Sequence, residues 1–217
     1  GWLIPLTEGK KYSGMIVTMQ DISERKQQET NLDIRNRFLQ AVAISAELLM
    51  KSADFGQSIN SALRLLGEAS NSDRVFIYKL VHNHSNSEFH LSYEWIRTGF
   101  KSRKINSSPI EGSTNNHRFS QFLRHYEDEP TVFGSINEFP KQFQILFAQK
   151  GIKSILTTEI RIRGELWGYI GFDDCTRERK WTDAEIDSIR TASFIIDGAL
   201  EKLEAIEVLQ IGDKQLR

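Results

Sequence analysis

The spacing of apolar residues in the first fifty positions changes from strand-like to helix-like. Tyr12 to Met19 is rich in β-branched and apolar side chains and predicts a strand. Residues 23 to about 52 contain neither glycine nor proline, and their apolar residues recur at three- and four-residue intervals after Asn31. The pattern predicts a strand that leads into one long helix.

The next segment predicts a second helix and then two strands. Residues 56 to 69 carry Ile59, Leu63 and Leu66 on one side, as an amphipathic helix does. The run "VFIYKL" (75–80) is apolar on both faces, which is typical of a central strand. The run "FHLSYEWI" (89–96) alternates. We therefore expect one face of that strand to carry Phe89, Leu91, Tyr93 and Trp95.

The second half of the chain predicts the rest of an antiparallel sheet. Residues 97–118 are rich in Ser, Asn, Gly and basic residues without periodicity, so we expect a long loop. Beyond it we expect helical pieces at 119–125 and 140–150, a short strand at "TVF" and a hairpin of 155–163 with 166–172 about Gly164.

The chain ends in a third long helical pattern. Thr182 and Glu185 have the spacing of a capping box, and the helix is expected to run to about Leu209. Helices at both ends of an antiparallel sheet predict an α+β fold in one main domain of about 150 residues.

Apolar stripes on the two terminal helices allow two interpretations. On the entering helix the stripe contains Leu32, Leu39, Val42 and Leu49, and on the last helix it contains Ile189, Ile196 and Leu203, with Ala192, Ala199 and Ile206 between them. Such seams bring helices together in coiled coils, which predicts a parallel homodimer. The competing interpretation buries the same residues against the sheet of one subunit.

The net charge, the apolar content and the cysteine count of the chain limit the binding partners and the cellular setting that we expect. The net charge of −1 and the pI near 6.6 provide no global field for nucleic acid or an anionic membrane, and no stretch is long and apolar enough for a membrane span. Cys175 is the only cysteine, so one chain cannot form a disulfide framework. We expect a reducing, cytoplasmic setting.

Two stretches resemble known signalling modules. The segment "GMIVTMQDISERKQQE" resembles the last strand of a PAS domain and the linker that commonly follows it. By this resemblance residues 1–22 are a PAS remnant and 23–36 a signalling helix. Residues 37–202 resemble a GAF domain of sensor histidine kinases or diguanylate cyclases through "YEWIRTG", "GIKSILTTEIRIRGELWGYIGFDD" and "RKWTDAEIDSIRTAS". By the same resemblance we expect residues 203–217 to be a linker toward an output domain.

The GAF resemblance implies an antiparallel sheet of about six strands, with the terminal helices on one face and a possible ligand pocket on the other. It also implies a sensory regulatory module that relays a small-ligand signal through the terminal helices. The alternative is an unliganded dimerisation or spacer module that relays the PAS signal. Because no nucleophile, base and orienting group occur together, we expect no catalytic residue and no enzyme activity in this chain.

The candidate pocket residues are aromatic side chains with two polar neighbours. Aromatic walls with few polar groups are typical of ligand pockets, and the preferred set is Trp95, Phe119 and Phe122 with Arg97 and His117. No cofactor is expected. A bilin would need a thiol in the pocket loops, and Cys175 instead follows "GFDD" at the end of a strand.

The sequence also contains histidines that could bind a metal ion and a pair of carboxylates that could act in acid–base chemistry. His82, His84 and His90 lie near one hairpin, but no neighbouring Asp or Cys completes a site, so no metal is expected. Asp173 and Asp174 are adjacent in a strand, where successive side chains point to opposite faces. A role in a turn or cap is therefore favoured over acid–base chemistry.

Overall fold

The computed structural model describes residues 2–51, 54–83, 86–100, 119–126 and 128–215. The chain forms two compact units, Gly1–Asp33 and Ile34–Arg217. In the first unit, strands β1 (Trp2–Glu8) and β2 (Lys11–Thr18) form an antiparallel hairpin that turns at Gly9, whose φ is +64°. This confirms the strand predicted from Tyr12, whereas its partner β1 was not expected. Helix α1 (Ser23–Lys51) begins in this unit.

The second unit is built on one antiparallel sheet. Its elements after α1 are α2 (Phe55–Ser70), β3 (Arg74–Asn83), β4 (Asn86–Ile96), α3 (119–125), β5 (Thr131–Ser135), α4 (Lys141–Gln149), β6 (Ser154–Ile162), β7 (Glu165–Asp174) and α5 (Asp183–Gln215). The strands are ordered β4-β3-β7-β6-β5. The expected α+β architecture is confirmed, with five strands in the described sheet against the expected number of about six.

One face of the sheet is covered by the long helices. Val75 and Ile77 of β3 and Ile170 and Phe172 of β7 face this side and are completely buried. They belong to a core, here called the helical layer, to which α1, α2 and α5 contribute Phe38, Val42, Leu49, Ile59, Leu63, Leu66, Ile186, Ile189 and Ile196. The helices from both ends of the chain therefore share one face, as expected.

The opposite face is covered by short helices and aromatic side chains. Phe76 and Tyr78 of β3 and Tyr169 of β7 alternate with the residues of the helical layer and point the other way. This second core, here called the aromatic layer, also contains Phe89, Phe119, Phe122, Phe139, Phe143 and Phe147. The sheet is thus buried on both faces.

The terminal seams are largely part of the subunit's own core. Val42, Leu49, Ile189 and Ile196 are each at most 5% exposed and lie in the helical layer. This corrects the expectation that these four residues meet a symmetry mate, and it agrees with the competing interpretation. A helix that packs on a sheet needs the same recurrence of apolar residues as one that packs on a helix, so the pattern fits both.

The remaining seam residues differ from these four. Leu32 is 58% exposed and Leu39 is 49% exposed, so the described part of the chain leaves about half of each side chain uncovered. Leu203 lies within α5, but its side chain is outside the part of the chain that the structure describes.

An irregularity in β4 reverses the expected alternation of its side chains. Ile77 pairs with Tyr93 and the next residue, Tyr78, pairs with Leu91, so Ser92 is an extra residue in β4. Such a β-bulge shifts the following side chains to the other face. As a result Phe89 and Leu91 contact the aromatic layer, whereas Tyr93 and Trp95 contact the helical layer. The prediction that these four residues share one face is wrong.

Trp95 packs closely on α2, and this contact gives a test. A Cβ at Gly67 would lie 2.1 Å from Cζ3 of Trp95, so the indole occupies the space of an alanine methyl group. We expect Gly67→Ala to destabilise the fold by about 1–3 kcal/mol, because overpacking outweighs the gain in helix propensity. The free energy of unfolding in urea measures the effect.

The matched control is Gly198→Ala in α5. Apart from the adjoining part of its own helix, no described atom lies within 4 Å of a Cβ built at Gly198, so the substitution should stabilise the helix by about 0.5–1 kcal/mol. The two Gly→Ala substitutions should thus have opposite signs. Stabilisation by both would show that Trp95 does not pack on Gly67.

Candidate functional site

Phe119 and Phe122 lie at the centre of the aromatic layer. Both are completely buried, and their ring centroids are 5.5 Å apart. Phe119 stacks on Tyr78 of the sheet at 4.6 Å. Phe122 also has neighbouring rings within 6 Å, namely those of Tyr126, Phe139, Phe143 and Phe147. The two candidate pocket residues therefore meet, in a layer filled by aromatic rings.

The other candidate pocket residues are not brought to that layer. Trp95 is on the opposite side of the sheet, for the reason given by the bulge at Ser92. His117 lies outside the described residues. The five-residue pocket expected from the sequence is thus reduced to Phe119 and Phe122 among the described side chains.

Arg97 belongs to a different structural group, at the C-terminal end of α2. Its guanidinium donates to the backbone oxygen of Ser72 at 2.9 Å and to Oδ1 of Asn71 at 2.8 Å. It also lies 3.6 Å from Oδ1 of the buried Asp73. Arg97 therefore holds the turn between α2 and β3.

Two further arginines reach the same helix end. Nη2 of Arg177 donates to the backbone oxygen of Asn71 at 3.2 Å, and Nη2 of Arg179 donates to that of Ser70 at 2.7 Å. Asn71 ends the helix in the left-handed conformation, with φ of 52°. The last carbonyls of a helix lack intrahelical partners and carry partial negative charge, so these guanidinium groups complement the helix end.

Asp173 and Asp174, the two carboxylates that follow "GF" at the end of β7, bind arginines and backbone amides in the same region. Asp173 is completely buried and lies 3.2 Å from Nε of Arg74. Asp174 accepts hydrogen bonds from the backbone amides of Thr176 and Arg177 and from the Arg177 guanidinium. Burial alone would raise the pKa of Asp174, but these hydrogen bonds outweigh it and hold the pKa below its ordinary value. Asp174 organises a turn, as favoured from the sequence.

The capping box at the start of α5 is also present. The Glu185 amide donates to Oγ1 of Thr182 at 3.3 Å, and the Thr182 amide donates to Oε2 of Glu185 at 2.8 Å. The other oxygen of Glu185 accepts from Arg179, whose guanidinium also lies 4.1 Å from the ring of Trp181. The start of α5 and the end of α2 are therefore joined through Arg179.

A titratable group that the sequence analysis missed lies on α5. Asp197 is half-buried in the helical layer, and its Oδ1 has no hydrogen-bond partner among the described residues. Burial, with a smaller contribution from the nearby Glu159 carboxylate, raises its pKa to about 7, although hydrogen bonds from the backbone amides of Arg161 and of Asp197 itself act to lower it. The signal in the sequence was a single acid within the apolar run "SFIIDGAL".

Neither a metal cluster nor a membrane helix is present in the described part of the chain. No group of three or more His, Cys, Asp or Glu side chains there is arranged to hold a metal ion, and His84 is outside the described residues. None of the helices described combines the length and the apolar character needed to cross a bilayer.

The pKa of Asp197 predicts a specific dependence of stability on pH. Between the ordinary carboxyl pKa of 3.8 and about 7, the folded protein keeps a proton that the unfolded chain has lost. The contribution of Asp197 to stability therefore falls as the pH rises through this range. We expect Asp197→Asn to stabilise the protein more at pH 8 than at pH 5, as measured by urea denaturation.

The matched control is Asp187→Asn, which removes a carboxylate from the exposed face of the same helix. Its effect should change less between pH 5 and pH 8. If Asp197→Asn shifts stability equally at both pH values, the side chain does not titrate in this range in the folded protein.

The comparisons with known proteins agree with this fold. The sequence model of the GAF domain matches residues 54–200. The chain is 31% identical over 197 residues to the methanogenesis regulatory histidine kinase FilI of Methanothrix harundinacea (strain 6Ac). That alignment covers 90% of this chain and 22% of the kinase, so the chain spans about a fifth of that relative's length.

Solved structures show the same architecture at low sequence identity. The chromophore-binding domain of a bacteriophytochrome from R. palustris has a TM-score of 0.64 and 15% identity, over 79% of this chain and 62% of that one. The phycocyanobilin-bound GAF domain of a cyanobacterial phytochrome has a TM-score of 0.61 and 13% identity, over 76% and 94%. At these identities the likeness concerns the fold alone. The family match, the sheet order and the two-layered core together lead to one conclusion: the chain belongs to the GAF domain family.

Proposed function

We propose that this GAF domain is the sensory regulatory module of a multidomain histidine kinase in the cytoplasm. The observation that carries the proposal is the 31% identity to a regulatory histidine kinase, over an alignment that extends beyond the GAF match. The kinase relative also favours this output over a diguanylate cyclase. The catalytic step would reside in another part of the parent protein, and this chain would regulate it.

The two-layered sheet provides a physical route for such regulation. Adjacent residues of one strand enter different layers, as Ile155 enters the aromatic layer and Leu156 the helical layer. A ligand that displaced rings of the aromatic layer would therefore move strands on which the terminal helices rest. Coupling of this kind requires that the ligand bind one arrangement of the layer better than the other.

The first unit supports an input from a preceding PAS domain. Its β1–β2 hairpin and the motif "DISERKQQE" at the start of α1 fit the end of such a domain. Helix α1 then continues into the second unit without interruption. We propose that α1 carries a PAS signal into the GAF domain.

A module without a ligand is the second candidate. The observation that favours it is the complete burial of Phe119 and Phe122 among other rings. A layer filled in this way needs no ligand for its stability. The domain would then act as a spacer that passes the PAS signal along its terminal helices.

The two candidates are separated by a ligand test on the aromatic layer. A thermal-shift screen of small aromatic and heteroaromatic metabolites should yield a compound that raises the melting temperature. We expect Phe122→Leu to weaken its binding roughly fivefold, since one aromatic contact contributes about 1 kcal/mol. Isothermal titration calorimetry measures the affinity.

Trp95→Leu is the control, because Trp95 lies on the opposite side of the sheet. It should leave the affinity unchanged even if it lowers stability. A screen without any stabilising compound, or equal weakening by both variants, would favour the spacer.

We also propose that the module is a homodimer, through exposed apolar residues that include Leu39 of the predicted α1 seam but otherwise lie outside the predicted seams. Phe194 on α5 is 72% exposed, and Leu39 and Met50 on α1 are 49% and 64% exposed. The C-terminal end of α1 lies beside α5, because Nζ of Lys202 donates to the backbone oxygen of Met50 at 2.8 Å. Exposed apolar side chains on neighbouring helices are typical of an association surface.

Phe194→Glu tests this surface. The wild-type chain should sediment as a dimer and the variant as a monomer, with an unchanged circular dichroism spectrum, because a partner would bury the introduced charge. Ile145→Glu is the matched control, since Ile145 is 55% exposed on α4, in the aromatic layer's half of the domain. Equal sedimentation of wild type and Phe194→Glu would rule out this interface.

A further inference from the structure

A cavity of about 200 Å³ lies where α1 passes the C-terminal end of α2. Its walls come from three parts of the chain: the segment of α1 that starts at Ile34, the end of α2, and the connection between β7 and α5. The polar lining residues are Arg37, Ser70, Asn71, Arg177, Arg179 and Glu185. A single water needs about 10–15 Å³, so the cavity has room for a polyatomic ligand.

The charges around this cavity do not balance. Three guanidinium groups line it, against the one carboxylate of Glu185. Arg179 pairs with Glu185, and Arg177 pairs at 2.8 Å with Asp174, which is not a lining residue. The partial negative charge at the end of α2, about half an elementary charge, offsets part of the third guanidinium. The cluster still carries a net positive charge.

Of the three arginines that line the cavity, Arg37 is the one without a carboxylate partner among the described residues. Arg177 and Arg179 have structural tasks, since each holds a carbonyl at the end of α2. Arg37 makes no hydrogen bond or ion pair with the described residues, although it shares the cavity with two like charges. An anion in the cavity would relieve this repulsion, and guanidinium groups bind oxyanions through parallel N–H···O hydrogen bonds.

We propose that this cavity binds a small oxyanion, of the phosphate or carboxylate class, held by Arg37, Arg177 and Arg179. One negative charge brings the cluster close to neutrality. The site is separate from the aromatic layer, and its α1 wall precedes the segment matched by the GAF family model. The inference therefore goes beyond the proposed sensory function and does not depend on it.

The position of the site gives binding a structural consequence. Its wall on α1 contains Ile34, Arg37 and Phe38, the first residues of the second unit. Its other walls are joined to each other, since Arg179 donates to the backbone oxygen of Ser70 and pairs with Glu185 at the start of α5. A bound oxyanion would thus link α1 to the end of α2 and the start of α5 and resist their separation.

The test uses the purified 217-residue chain with inorganic phosphate and acetate as probes. Each is titrated by calorimetry against sodium chloride at matched ionic strength, and the melting temperature is followed in parallel, because a ligand that binds only the folded state raises it. Arg37→Gln should weaken binding about tenfold, the loss expected for one charge-assisted hydrogen bond. Arg37 is exposed and makes no described contact, so the variant should fold.

Arg35→Gln is the matched control, because it removes the same charge from α1 at an exposed position outside the cavity lining. It should leave the affinity unchanged. Stronger binding of phosphate assigns the site to phosphate-type anions, and stronger binding of acetate assigns it to carboxylates. The proposal is overturned if neither probe binds better than chloride, or if the two variants lose affinity equally, which would indicate a general ionic effect.

Discussion

Burial of both faces of one sheet is the constraint on which the rest of the domain depends. The central strands β3 and β7 place apolar side chains alternately on the two sides, so neither face can remain in water. The long helices cover one face and the short helices with their aromatic side chains cover the other. Both layers pack on the same strands, and these strands are the path of the coupling proposed above.

The arginines at the end of α2 connect the elements that this core leaves separate. They come from the end of β4 and from the connection after β7, yet they converge on four successive residues, 70–73. Ion pairs at the surface contribute little by themselves, but these are partly buried and also satisfy backbone carbonyls. Removing one of these arginines would leave backbone carbonyls without hydrogen-bond partners. The main contribution of the arginines is therefore to hold the end of α2 in one geometry.

Local patterns predicted most of the fold. The run apolar on both faces in β3 and the β-prone arms of the β6–β7 hairpin identified the sheet, and the Thr182–Glu185 spacing located the start of α5. The bulge at Ser92 could not be predicted, because one extra residue in a strand leaves the composition of that strand unchanged. The partner of the α5 stripe could not be predicted either, since Ile189 and Ile196 would suit a helix or a sheet equally well. Of the candidate pocket residues, Phe119 and Phe122 lie together in the aromatic layer, whereas the position of Trp95 depended on the bulge.

The half-buried carboxyl of Asp197 has a consequence for signalling that concerns protons. With a pKa of about 7, roughly half of the molecules at neutral pH carry a charge at this point of α5 and half do not. A movement of α5 that brings the side chain into water lowers this pKa and releases protons, and linkage requires that acidification favour the reverse movement. Any movement of α5 that changes the exposure of Asp197 would therefore be coupled to the pH of the surrounding solvent.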